Sequence, residues 1–255
     1  MALEDDFCDI VRKARYGLGI TLEDAAARAG LAPARLQALE AGKSPTGEEA
    51  RQLAGVLSLR SGPLAAIGAG GYEPPPVALR FGEWTVTPVF AEDVGAFCYA
   101  VATRDGRFTV DAGGGVEQVR AALGGTPQAV LLTHGHSDHV AALGAFGAPC
   151  YAHPQLAQEV GGEGLFDGAE ILGLRVLYCP GHSPDMLCFR GPGFAFVGDT
   201  LFAGSLGRAR TPQDYPALLE SARRILALPK ETALFCGHGP PTTVAAEREH
   251  NAFAI

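Results

Sequence analysis

The chain has 255 residues, 47% of them hydrophobic, with 34 glycines, 18 prolines and a formal net charge of −8. That length supports a sizeable core, either as one large domain or as a medium domain beside a small one, and nothing in it approaches the ~20 apolar residues of a membrane span. The acidity excludes nonspecific nucleic-acid or anionic-membrane binding as a property of the whole chain, and the start Met1-Ala-Leu-Glu-Asp-Asp6 lacks the basic and apolar stretches of a signal peptide.

A cytoplasmic protein with no membrane partner is expected. Six scattered cysteines (8, 98, 150, 179, 188 and 236), with no Cys-x-x-Cys pair, fit reduced thiols buried as small hydrophobes better than a disulfide framework.

From residue 3 to 67 the pattern is a string of short helices. Phe7, Ile10, Val11 and Ala14 recur at helical spacing, as do Ala50, Leu53, Ala54 and Leu57. Thr21, with Asp24 three residues on, opens a second helix; Gly30 ends it, and Pro33 stands where the first turn of a third helix accepts proline. The run Gly68-Ala-Gly-Gly-Tyr-Glu-Pro-Pro-Pro76 marks a linker. The expected organisation is a small all-α domain at 1–67, a linker at 68–76 and a larger domain at 77–255.

Past residue 77 short β-prone runs alternate with helical ones. Strands are predicted at 84–90, 97–102, 107–111, 129–132, 175–178, 186–189, 194–197 and 232–235, and helices at 116–123, 154–160, 215–228 and 244–250. This is a mixed α/β domain of about 180 residues.

Three of the seven histidines fall in Thr133-His134-Gly135-His136-Ser137-Asp138-His139, directly after the apolar run 129–132. A loop at a strand end is where side chains converge on a ligand, and imidazole and carboxylate are the donors that suit zinc, iron or manganese. Pro180-Gly-His182-Ser, Val197-Gly-Asp199-Thr and Cys236-Gly-His238-Gly repeat the design, each with a candidate ligand after a predicted strand and beside a glycine that permits close backbone approach. His153 reads instead as a helix-start residue and His250 as a surface residue of the last helix.

In order, His134, His136, Asp138, His139, His182, Asp199 and His238 resemble the ligand pattern of the metallo-β-lactamase superfamily, over roughly residues 79–255. The resemblance implies an α/β fold, an αββα sandwich with a two-metal site at one edge. It implies that His134, His136 and His182 hold one divalent ion, that Asp138, His139 and His238 hold the other, and that Asp199 bridges them. Zinc is the expected metal, with iron or manganese as alternatives. Two cations on one carboxylate would acidify a bridging water, so that Asp199 and Asp138, the latter orienting the hydroxide, are the expected catalytic residues. Asp111 matches the family's early aspartate and is expected to support the ligand loop, although a turn residue before Gly113 reads equally well.

Gly198-Asp-Thr-Leu-Phe202, Gly207-Arg208, Cys236-Gly-His-Gly-Pro-Pro-Thr-Thr243 and Glu249-His-Asn251 look like the glyoxalase II branch, which implies hydrolysis of a thioester such as a glutathione or other thiol conjugate. Asp185 stands where relatives carry glycine, a negative charge placed near the first metal or turned to solvent. The persulfide dioxygenases share the motif set and resemble mononuclear iron enzymes using the positions of His134, His182 and Asp199, so that chemistry stays open.

The segments Val11-Arg-Lys-Ala-Arg15, 19–31, Leu36-Gln-Ala-Leu-Glu-Ala-Gly-Lys43 and Ala50-Arg-Gln-Leu-Ala54 resemble the phage-repressor helix-turn-helix family. Residues 1–63 carry eight basic against nine acidic side chains, net −1, and Arg35, Gln37 and Lys43 are the candidate DNA contacts. DNA is therefore one candidate partner of this module, for a regulator whose metallohydrolase half acts as sensor; homodimerisation or docking is the other role.

Overall fold

The structure, a computed structural model, describes residues 1–253. Five short helices come first: α1 (Phe7–Gly17), α2 (Leu22–Arg28), α3 (Pro33–Glu40), α4 (Gly47–Val56) and α5 (Ser61–Gly68). Their ends follow local chemistry. The Thr21 hydroxyl accepts the Asp24 N–H at 3.1 Å, Thr46 and Glu49 exchange the two bonds of a capping box, and Pro33 occupies the first turn of α3. Ile10, Val11, Leu36, Leu39, Leu53 and Leu57 are fully buried between these helices.

The remainder begins with β1 (Arg80–Phe81), β2 (Trp84–Ala91), β3 (Ala96–Ala102), β4 (Arg107–Val110), α6 (Val116–Leu123), β5 (Val130–Leu131), α7 (Ser137–Val140), α8 (Leu143–Phe146), β6 (Cys150–Ala152), α9 (Pro154–Val160) and β7 (Glu163–Gly164). These seven strands form one sheet in chain order, antiparallel as far as β4 and parallel from β4 to β7. Then come β8 (Glu170–Ile171), β9 (Leu174–Tyr178), β10 (Leu187–Gly191), β11 (Phe194–Gly198), the hairpin of β12 (Leu201–Phe202) and β13 (Ser205–Leu206), α10 (Tyr215–Leu226), β14 (Ala233–Cys236), β15 (Thr242–Thr243) and α11 (Val244–His250). The second sheet has the order β15-β14-β11-β10-β9-β8.

Strand alternation builds the layers. Phe97, Tyr99, Phe108, Val176, Phe194, Phe196 and Phe235 point between the two sheets, each buried ring or branched chain contributing roughly 2 kcal/mol. The opposite faces carry Cys98, Ala100 and Val130 toward α6, α8 and α9, and Ala195, Val197, Leu234 and Cys236 toward α10 and α11. This is the expected αββα sandwich.

The expected helix-turn-helix region is present and packs onto one side of that sandwich. One apolar cluster runs from Phe7, Ile10 and Leu36 through to Leu218, Ile225 and Phe253. The Arg60 guanidinium donates to the carbonyls of Arg248, Glu249 and Asn251 at 2.9–3.2 Å, closing the end of α11. Residues 69–79 hold no regular structure, yet Tyr72 within them donates its hydroxyl to Glu247 at 3.0 Å.

The eight predicted strands and four predicted helices of the larger region lie within two residues of observed ones. The other seven strands and α7 and α8 have two to four residues each, too short to show a period. Among the described residues no helix is long and apolar enough to cross a membrane, and all six cysteines are free thiols, five of them buried.

Candidate metal centre

Five strands deliver the site. Strands β4 and β5 are parallel to each other, and β9, β11 and β14 run alike in the second sheet. Their C-terminal ends therefore meet at one rim, with Asp111 after β4, His134 and His136 after β5, His182 after β9, Asp199 after β11 and His238 after β14. His136 opens α7, whose single turn carries Asp138 and His139 inward. All seven expected ligands are brought together.

The first group is three imidazoles. His134 Nε2 lies 3.0 Å and His182 Nε2 2.9 Å from His136 Nδ1. In the second, His238 Nε2 lies 3.2 Å and His139 Nε2 3.9 Å from Asp138 Oδ2. Asp199 stands between the groups, its Oδ1 3.4 Å from His139 and its Oδ2 3.5 Å from both His182 and His238. His134, His139 and Asp199 also lie close enough to share one ion.

The opposite ring nitrogens are held in place. His139 Nδ1 donates to Asp111 at 2.8 Å, His182 Nδ1 to the Arg208 carbonyl at 2.8 Å and His238 Nδ1 to the Gly95 carbonyl at 2.9 Å, each turning its Nε2 inward. Asp111 sits at φ +61°, a left-handed conformation held by the Thr133 backbone N–H at 2.8 Å, the Thr133 hydroxyl and His139. It is thus both a turn residue and a prop.

The donors fit divalent cations on three counts. Convergent nitrogen lone pairs at about 3 Å repel one another unless something positive stands among them. His139 Nε2 and Asp199 Oδ1 are buried with no hydrogen-bond partner, a cost a metal bond would remove. Backbone has also been cleared from the centre: a Cβ on Gly237 would collide with Asp199 Oδ1 and stand 2.7 Å from His139 Cε1.

The electrostatics agree. Burial, then the neighbouring imidazoles, push His134 well below the ordinary histidine value, which keeps it a neutral donor; burial lowers His182 too. Burial alone would raise Asp199, but the imidazoles of His139 and His238 hold it well below the usual carboxylate range. Against the pull of burial, Asp111 and Asp199 hold His139 up, and Asp199 raises His238 to about 9. Carboxylates that draw protons this strongly draw cations as well.

Asp185 is buried, with Ser183 donating to it, and lies against Gly135, the residue between His134 and His136 in the chain; it does not turn to solvent. His153 caps α9, as expected, and His250 is half-buried against the Tyr72 ring. Sequence reasoning missed Thr133 and the carbonyls of Gly95 and Arg208, since backbone acceptors leave no side-chain signal. In the helical region Arg35 donates to both oxygens of Glu49 at 2.6 and 2.8 Å, while Gln37 and Lys43 are exposed.

The family models that match are the metallo-beta-lactamase superfamily, over residues 91–148 and 147–238, and a helix-turn-helix family over residues 11–61. A probable metallo-hydrolase of Bacillus subtilis, YqgX, is 30% identical over 67% of this chain and 97% of its own. A hydroxyacylglutathione hydrolase of Aeromonas salmonicida is 36% identical over 46% of this chain, and the match spans only about half (50%) of that relative. A solved structure titled TTHA1623 in a di-iron-bound form shares 34% identity with a TM-score of 0.58, covering 65% of this chain and 98% of its own. With ligands, sandwich and sequence in agreement, the chain belongs to the metallo-beta-lactamase superfamily and carries a helix-turn-helix domain ahead of the hydrolase fold.

Proposed function

We propose that this metal-dependent hydrolase cleaves a thioester of a small acidic thiol such as glutathione. In this reading His134, His136 and His182 hold one divalent ion, Asp138, His139 and His238 hold a second, and Asp199 lies between them; zinc suits the histidine-rich donor set. Such a pair would supply a Lewis acid for the thioester carbonyl and an acidified water. The observation that carries the reading is the placement of Asp199, whose Oδ2 stands 3.5 Å from both His182 of the first group and His238 of the second, with Oδ1 3.4 Å from His139.

The chain's own residues supply the rest. Asp138, its side chain 30% exposed toward the open side of the rim, orients the attacking water and accepts its proton. Water oxygen bonds to the carbonyl carbon, the C–S bond breaks with its electron pair leaving on sulfur, and the proton passes to the thiolate. His136, the exposed member of the set, marks the side from which substrate enters.

Metal analysis of the purified protein together with turnover of an S-acylglutathione tests this: two ions per chain and hydrolysis are expected. A second reading rests on the nearness of His134 and His182 to Asp199, which would let those three hold a single iron for dioxygenase chemistry. His136→Ala separates them. It should lower hydrolysis by about a hundredfold or more, whereas an iron enzyme using the other three would keep taking up oxygen on a persulfide.

A further inference from the structure

The helical domain also packs against the segment whose Arg208 carbonyl holds His182. A cleft of about 420 Å3 lies at the seam between α1 and the loop after β13, lined by Asp9, Arg12, Lys13, Arg15 and Tyr16 from the helical domain and by Arg208 from the hydrolase. Lys13 Nζ donates to the Leu206 carbonyl at 2.8 Å and lies 4.8 Å above the Phe202 ring, which in turn stands 5.7 Å from the His238 ring. The Tyr16 hydroxyl donates to the Arg210 carbonyl at 3.0 Å, and the Arg208 guanidinium stacks on the Tyr16 ring at 4.4 Å. The Arg208 carbonyl is the acceptor that fixes His182. One residue therefore joins the cleft to the first ligand group.

The lining is basic. In a chain of net charge −8, four cations and one carboxylate face this cleft. Arg12, Lys13 and Arg15 are steadied by Asp9, Asp5 and Glu40, while Arg208 makes no ion pair among the described residues. The volume suits a small molecule rather than a macromolecule.

We propose that this seam is an anion subsite, supplied largely by the helical domain, that holds the carboxylate-bearing tail of the substrate while its acyl end lies at the rim. The assignment rests on the thioester reading for the identity of that tail. It gives the helix-turn-helix domain a role in substrate selection.

Calorimetric titration of the full chain with S-methylglutathione, which carries both carboxylates but no thioester, tests it against the diethyl ester, which has lost both charges. Wild type should bind the free acid, more weakly as salt rises. Arg12→Glu should weaken that binding about tenfold, with the diethyl ester bound equally poorly by both. Arg12 is 53% exposed, so the variant should fold, and Arg12→Gln, with an intermediate loss, guards against that failing. No binding by wild type, or equal binding by wild type and Arg12→Glu, overturns the subsite. The thioester reading fails separately, as absent turnover of S-acylglutathione by a protein that still binds S-methylglutathione through Arg12.

Discussion

The rim that gathers the histidines and aspartates and the outward face of α3 treat polar groups in opposite ways. At the rim His139 Nε2 and Asp199 Oδ1 are buried and unsatisfied, a state that costs roughly 1–3 kcal/mol per group and is kept where a ligand offsets it. Beside α3 the charges have closed on each other: Arg35 forks onto Glu49 at 2.6 and 2.8 Å. What α3 leaves exposed is mainly Pro33, Ala34 and Gln37. The contrast teaches that ligand readiness shows in unmet hydrogen-bonding capacity rather than in the number of polar residues. Buried polar groups without a hydrogen-bond partner are costly unless a ligand meets them, whereas the Arg35–Glu49 pair has little left to offer phosphates.

The contrast breaks most sharply at Asp199. Asp199→Ala removes the carboxylate facing both groups, so turnover should fall about a thousandfold or more and bound metal should drop, as elemental analysis will read. The helical domain should stay folded, because the apolar cluster that holds it contains none of the seven rim residues. Undiminished metal content would show that the two groups are independent.

Next in size is Glu247, buried where Tyr72 and the hydrolase meet. Its carboxyl accepts from Tyr72, Thr242, Asn251 and the Gly204 N–H at 2.8–3.0 Å, and burial raises its pKa. Glu247→Ala would orphan four donors and should cost about 3 kcal/mol of unfolding free energy, measured by denaturant titration. Metal affinity should be untouched, which separates stability of the seam from readiness of the rim.

A smaller effect is expected at Asp111. Asparagine tolerates the left-handed backbone there, so Asp111→Asn should fold, but its single acceptor oxygen cannot serve the Thr133 donors and His139 together. With the His139 tautomer less firmly fixed, metal affinity should fall about 10–100-fold in a competition titration with a chelator.

These residues also show what was legible beforehand. The candidate ligands could be read because seven donor side chains gathered at strand ends leave a dense pattern in short segments, and His134 to His139 alone carries four of them. Asp111 was half legible: the sequence placed it before glycines, while its contact with His139, 28 residues on, needed the fold. Glu247 was not legible at all. It lies two residues before the noted Glu249-His-Asn251, and nothing local tells a buried acid from a solvated one. The packing of α1 on the loop after β13 was equally hidden, because Lys13 and Leu206 are 193 residues apart and meet only when both regions have folded.

The smallest effect is expected on the self-paired side. The Arg35 fork, then the Thr46 N–H, hold Glu49 down at about 2. A carboxyl lowered in the folded state stabilises fully above its unfolded value near 4.5, and that contribution is lost as pH falls through about 2. Glu49→Gln should therefore lower Tm at neutral pH by only about 2 °C, since the pair is solvent-screened, and by nothing measurable near pH 2. The same substitution releases the Arg35 guanidinium and removes a negative charge from a region of net −1. If self-pairing is what limits contact with phosphates, a gel shift at low salt should show the variant binding duplex DNA more tightly than wild type, with the gain erased as salt rises. Equal binding at low salt would mean that the apolar surface of α3, and not the closed ion pair, sets the limit.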